Sequence, residues 1–182
     1  YDEQRLNQGV APYGAYNLFT ANTDWIDTIK NQGANVMNHN ISVSNGTEKN
    51  RFYMGAGYIE EEGLIENEKF KKFTFNLNNE LELTDAIKIG VNLGGSDSRL
   101  PQLHSFSSAL NATPIVNPFN DILGIYNQMP IEIGGAQIGN PLLEVEGKKN
   151  TNISRNTRFV GSIFTEIKFL KDFKFRASYL TD

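Results

Sequence analysis

A chain of 182 residues with 39% apolar and 21% charged residues and a mean hydropathy of -0.41 has the composition of one soluble globular domain. No stretch approaches the roughly 18 to 20 uncharged apolar residues of a spanning helix, which excludes a helical membrane protein but not a membrane β-barrel, whose strands average an apolar and a polar face. A formal charge of -4 without a basic run interleaved with aromatics argues against nucleic acid, and zero cysteines exclude disulfides, thiolate metal sites and a cysteine nucleophile.

Residues 1–35 are rich in Gly, Asn and Gln and read as loop, with one short helix near 23–30 capped by Thr23 or Asp24 and carrying Trp25, Ile26 and Ile29. The period then changes from 3.6 to 2. Met37, His39, Ile41 and Val43 alternate with Asn38, Asn40, Ser42 and Ser44, which predicts a strand with one apolar and one polar face, and a second strand runs to Glu60. A turn over Gly46-Thr47-Glu48-Lys49 predicts Val43 opposite Phe52 and Ile41 opposite Met54, which assigns Phe52 and Met54 to the apolar face. Downstream, Phe73, Phe75, Leu77, Leu81 and Leu83 turn at Thr84-Asp85-Ala86 into Ile87, Ile89, Val91 and Leu93, with Leu83 facing Ile87. A third unit of the same design takes Phe159, Ile163, Ile167 and Phe169 through Leu170-Lys171-Asp172 into Phe173, Phe175, Ala177 and Tyr179.

The expected organisation is a first hairpin over 36–60, an acidic loop over 61–70, a second hairpin over 71–98, a long loop over 99–150 and a third hairpin over 151–182. Short turns at one end of the sheet and long loops at the other match the periplasmic and extracellular ends of an outer-membrane barrel. Phe70 to Leu83, at about 3.3 Å per residue and tilted near 40°, rises about 35 Å, more than the ~25 Å apolar band. The 22 Asn, 16 Gly and 19 Phe or Tyr suit turns, a polar lumen and an aromatic surface. The fold expected is therefore all-β: an antiparallel transmembrane β-barrel fragment of about six long strands in three hairpins with long extracellular loops. The lipid-facing candidates are Ile41, Val43, Phe52, Met54, Phe73, Phe75, Leu77, Ile89, Val91, Ile163, Ile167 and Phe175, and the wet wall carries Asn76, Asn78, Glu80, Lys88 and Asn92. Both ends of the chain read as cuts in a longer one.

Several segments appear in an order that resembles the early barrel region of SusC/RagA-type TonB-dependent outer-membrane transporters, to about residue 98. They are Thr23-Asp24-Trp25, Asn38-His39-Asn40-Ile41-Ser42-Val43-Ser44-Asn45-Gly46, Tyr53, Gly57-Tyr58, Glu62-Gly63 and Leu83-Thr84-Asp85-Ala86-Ile87-Lys88-Ile89-Gly90. The Gly pair usual after the first strand is Asn45-Gly46 here, a change that a turn tolerates. The resemblance implies a much longer protein with a plug inside a barrel of about 22 strands. It implies the outer membrane of a Gram-negative, Bacteroidota-like bacterium, with outer-membrane lipid around the wall. The partners implied are TonB, through a missing N-terminal region, and a SusD-like surface lipoprotein serving as lid for oligosaccharide or peptide import.

Two other functions fit the same sequence: a SusC-like barrel as structural subunit of a larger outer-membrane assembly, and a soluble β-rich carbohydrate-binding module. Catalysis is not expected, because no nucleophile, base and orienting group can be assembled, and no cofactor is expected. Glu60-Glu61-Glu62 with Glu66 and Glu68 reads as a solvated loop face, lacking the spacing of a calcium loop. His39 and His104 have no ligand-spaced companion, and Gly94-Gly95-Ser96 is a strand end rather than a phosphate loop. The sequons at Asn40, Asn45, Asn111 and Asn152 match chance in an Asn-rich chain. In the long loop, Phe106, Phe119 and Tyr126 are the candidates for contact with substrate or lid; the plainer reading has them pack the loop on itself.

Overall fold

The structure is a computed structural model and describes residues 20–128, 139–148 and 152–182. The loop features at Pro130 and Ile131-Glu132-Ile133, and the first 19 residues, lie outside the described residues. The chain divides into two compact units.

The larger element is a six-stranded antiparallel meander made of β1 (Val36–Gly46), β2 (Asn50–Glu62), β3 (Lys69–Thr84), β4 (Ile87–Pro101), β7 (Ile153–Phe169) and β8 (Phe173–Thr181), in that spatial order. The intervening β5 (Phe119–Asn120) and β6 (Ile125–Tyr126) form a separate two-stranded ribbon. Strands of 16, 15 and 17 residues in β3, β4 and β7 are about three times the usual length in globular proteins. The sheet is open, with β1 and β8 at its edges.

The registers explain which residues share a face. Met54 faces Leu77, Tyr58 faces Phe73, Leu77 faces Leu93, Ile163 faces Tyr179 and Ile167 faces Phe175. The first hairpin is shifted by two residues from the expected pairing: Val43 meets Met54, Ile41 meets Ala56 and Asn45 meets Phe52. The turn is tighter than expected because Thr47 N–H donates to Asn50 O at 2.7 Å and Asn50 N–H donates to Thr47 Oγ1 at 3.0 Å, leaving only Glu48 and Lys49 to turn the chain. A shift of two returns every side chain to its own face, so the facing assignment holds although the pairs do not. In the second hairpin Thr84, not Leu83, meets Ile87. Thr84 Oγ1 accepts from Ala86 and Ile87 N–H at 3.2 and 3.1 Å, and Leu83 becomes the extra residue of a bulge. β4 and β7 are joined by Lys168 N–H to Ala86 O at 2.8 Å and by Asn92 to Ser162 at 3.1 Å.

The second unit contains the packed core. Its helices are α1 (Trp25–Ile29), α2 (Ser105–Asn111) and α3 (Pro141–Lys148). Trp25, Ile29, Ala109, Val116 and Val145 are buried together, with Ile26, Ile65, Ala112 and Ile115 against them. Asp24 caps α1 through Asp27 N–H at 3.0 Å, and the Trp25 indole donates to Thr113 O at 2.8 Å. Segments far apart in sequence, within 20–34, 63–68, 101–128 and 139–148, thus close one small core. No helix of the described residues is long and apolar enough to cross a membrane, which says nothing about strands.

Candidate functional site

The sheet presents two chemically opposed faces. Strand alternation and register place all twelve lipid-facing candidates on one side, and most of them are solvent-exposed; Ile41, for instance, is 73% exposed. From Phe159 to Phe169 that side is apolar at every second position except Gly161 and Thr165. This stretch spans about 33 Å along the strand, or about 25 Å of height at a barrel tilt near 40°. Aromatic pairs lie at its two ends, Phe75 with Phe159 at 6.3 Å between ring centroids and Phe169 stacked on Phe173 at 5.7 Å.

The opposite side carries Asn76, Asn78, Glu80, Lys88 and Asn92, with Lys88 Nζ 2.6 Å from Glu80. A trough of about 270 Å³ runs here over Gly55 and Gly57, between Asn40, Ser42, Tyr53, Thr74 and Asn76. A Cβ at Gly55 would sit 2.5 Å from Asn76 Oδ1, and one at Gly57 would sit 2.7 Å from Asn40 Oδ1, so these side chains close over the glycines. Sequence reasoning missed one residue of this side. Phe164 projects among the polar groups yet is only 6% exposed. Its ring lies where a Gly90 Cβ would be, 2.0 Å from Cε1, and the Arg176 guanidinium lies over the ring at 3.9 Å. An isolated Gly within an apolar strand pattern was the available signal for such a close approach.

Beyond the apolar band, towards the end of the sheet where β2 leads into β3 and β4 leads on to β7, the apolar side turns ionic. Tyr58 Oη donates to Glu60 at 2.6 Å; Lys69 reaches Glu60 at 3.0 Å and Glu62 at 2.8 Å, and Lys71 reaches Glu60 at 3.4 Å. On the neighbouring strands Asp97 accepts from Thr157 Oγ1 at 2.6 Å, Arg155 Nε at 2.7 Å and Arg99 Nε at 3.3 Å. Glu60 and Glu62 are therefore paired strand residues, not the solvated loop face expected of them. The cause is that β2 extends to Glu62 and meets the lysines that open β3.

In the loop unit the three aromatic candidates do not converge. Phe119 and Tyr126 meet edge to face at 5.2 Å across the β5–β6 ribbon, and the Tyr126 hydroxyl donates to Glu146. That bond, with smaller contributions from burial and from the Glu146 charge, holds the phenol above its ordinary pKa. Phe106 instead lines an apolar groove of about 540 Å³ with Ile26, Leu64, Ile65 and Leu103, bordered by Lys30 and Glu68. Buried Asn140 ties the unit together: its amide donates to Pro118 O and Asn127 O, both at 2.7 Å, and its Oδ1 accepts from Leu142 N–H at 3.0 Å. His39 stands opposite Tyr58, and His104 precedes α2 without a side-chain cap bond. Among the described residues no three His, Asp or Glu side chains gather as a metal site.

No protein-family model matches the chain. The TonB-dependent receptor P26 of Formosa agariphila is 25% identical over 163 residues, 88% of this chain and 16% of that receptor. The TonB-dependent receptor SusC of Bacteroides thetaiotaomicron is 31% identical over 62 residues, 34% of this chain and 6% of SusC. A solved structure of the RagAB peptide importer in the open-open state superposes with a TM-score of 0.62 at 18% identity, covering 91% of this chain and 21% of that one. The RagAB peptide transporter gives 0.58 at 18% identity over 86% of this chain and 18% of that one. The chain thus spans about a sixth of P26, and the resemblance to SusC/RagA-type TonB-dependent transporters, together with the barrel-wall fold, is borne out.

Proposed function

We propose that this chain, a SusC/RagA-type barrel segment, is part of the wall and extracellular loops of a TonB-dependent outer-membrane importer. The observation that carries the proposal is the sidedness of the sheet. The apolar residues share one exposed face of the height of a bilayer core, and the opposite face is a nearly continuous row of amides, hydroxyls and paired charges. In the parent protein the first face meets lipid and the second lines the lumen around a plug. The folded loop unit belongs to the external mouth, where a SusD-like lipoprotein closes over oligosaccharide or peptide cargo. The relatives named as transporters and receptors support import over a purely structural role, and the exposed apolar face argues against a soluble carbohydrate-binding module.

Nitroxide labels at Val91→Cys and Ile163→Cys, compared with Asn92→Cys and Ser162→Cys, test this in the parent protein reconstituted in liposomes. The first pair is expected to be relaxed by oxygen and the second by a water-soluble nickel chelate. Equal response at all four sites would overturn the assignment. Uptake of candidate cargo with and without the co-purifying lipoprotein then tests the transport role.

A further inference from the structure

We propose that the ionic row on the outer face binds the phosphate of a lipid headgroup in the leaflet at the loop end of the wall. The proposal rests on the membrane reading above and adds a ligand to it. Glu60 faces Lys71 and Lys71 faces Arg99, and Asp97 draws Arg155 alongside, so one row of ionic side chains crosses four strands on the apolar side of the sheet. It lies immediately past Phe73, Phe75 and Phe159, at the depth where acyl chains give way to headgroups.

Within the row the signs are sorted by depth. The Glu60 side chain is 13% exposed whereas that of Arg155 is 59% exposed, and Asp97 is likewise more sheltered than its two arginines. The carboxylates engage the lysine Nζ atoms and the arginine Nε atoms, and in every pair the cation is the more exposed partner, so the cations are what a ligand meets first. Both arginines engage Asp97 through Nε, which leaves the Nη edge of each guanidinium for a second acceptor. Four cations, Lys69, Lys71, Arg99 and Arg155, stand against three carboxylates, Glu60, Glu62 and Asp97, so the row retains a positive charge that a phosphate would neutralise. A cleft of about 230 Å³ between Tyr58, Lys71, Phe73, Asp97 and Arg99 gives the phosphate a place beside an apolar rim.

The test uses the intact parent protein in detergent, titrated with diphosphoryl lipid A and with the same lipid stripped of both phosphates, and read by native mass spectrometry. The expected result is retention of the phosphorylated form only. Lys71→Gln, Arg99→Gln and Arg155→Gln combined should weaken it about a hundredfold, each head near the surface contributing about fivefold. Arg158→Gln, on the opposite face, should leave binding unchanged. Equal retention of both lipids, or an unaltered triple variant of normal heat-modifiable mobility, would overturn the proposal. So would full displacement by millimolar inorganic phosphate, which would make this a free-anion site. The nitroxide pattern at Val91 and Ile163 reports the membrane reading separately, so loss of one result is distinguishable from loss of the other.

Discussion

The loop unit and the strand wall solve the burial problem in opposite ways. In the loop unit Trp25, Ile29, Ala109, Val116 and Val145 bury one another, as in any water-soluble domain. In the wall, larger apolar side chains such as Phe73, Ile163 and Phe175 are left outward on a regular face, and the one well-buried aromatic, Phe164, is on the polar side. A segment named a loop by its connectivity thus has the core, and the segment with the regular structure has none of its own. On the proposed membrane reading solvent sets the pattern: loops in water bury their apolar groups, whereas a wall set in hydrocarbon presents them.

Substitutions that separate the two regimes can break this comparison. The largest effect is expected from Trp25→Ala, which removes a buried aromatic and the indole bond to Thr113; it should cost about 3–5 kcal/mol of loop-unit stability. Hydrogen exchange should show lost protection in 101–128 with the strands unchanged; equal loss in both would make them one cooperative block. Next, Ile163→Lys should destabilise the wall by about 2–4 kcal/mol in bilayers, whereas Ser162→Lys, one residue away on the wet face, should cost little, as measured by reversible unfolding in lipid vesicles. Gly90→Ala should cost about 1–3 kcal/mol because its Cβ meets the Phe164 ring, and Phe164→Ala in the same molecule should recover part of that loss. Asn140→Ala should cost about 1–2 kcal/mol, removing the α3 cap and a buried amide together, visible as faster exchange at 141–148 only.

The smallest effect is a titration. The hydrogen bond to Glu146 favours the protonated phenol of Tyr126, so its contribution to folding is fully present below the unfolded value near 10. It is lost as pH rises through the higher folded value. NMR of ring-labelled tyrosine should show Tyr126 ionising above the ordinary phenol value, and Glu146→Gln should lower it.

Much of the wall was legible because strand periodicity is local. The three hairpins, the apolar set and the polar set of Asn76 to Asn92 all follow from alternation. Pairing partners were less legible: the Thr47 and Thr84 hydroxyls reset two turns by capping backbone N–H groups, moving Val43 onto Met54 and expelling Leu83 as a bulge. The α1 helix was readable from Asp24 and Trp25, but its partners at 109–116 and 145 were not, since nothing local ties residues about 80 to 120 positions apart.

Composition, which resembled that of a small soluble domain, proved to be the average of these two regimes. By itself the sequence determined the sidedness of every long strand, because a period of two survives any even shift in register. Only the tertiary structure decided what met across strands: Phe164 over Gly90, Asp97 between Arg99 and Arg155, and a core closed by three distant loops. Those contacts depend on chain segments whose approach is fixed by packing and hydrogen-bond geometry, which no local pattern encodes.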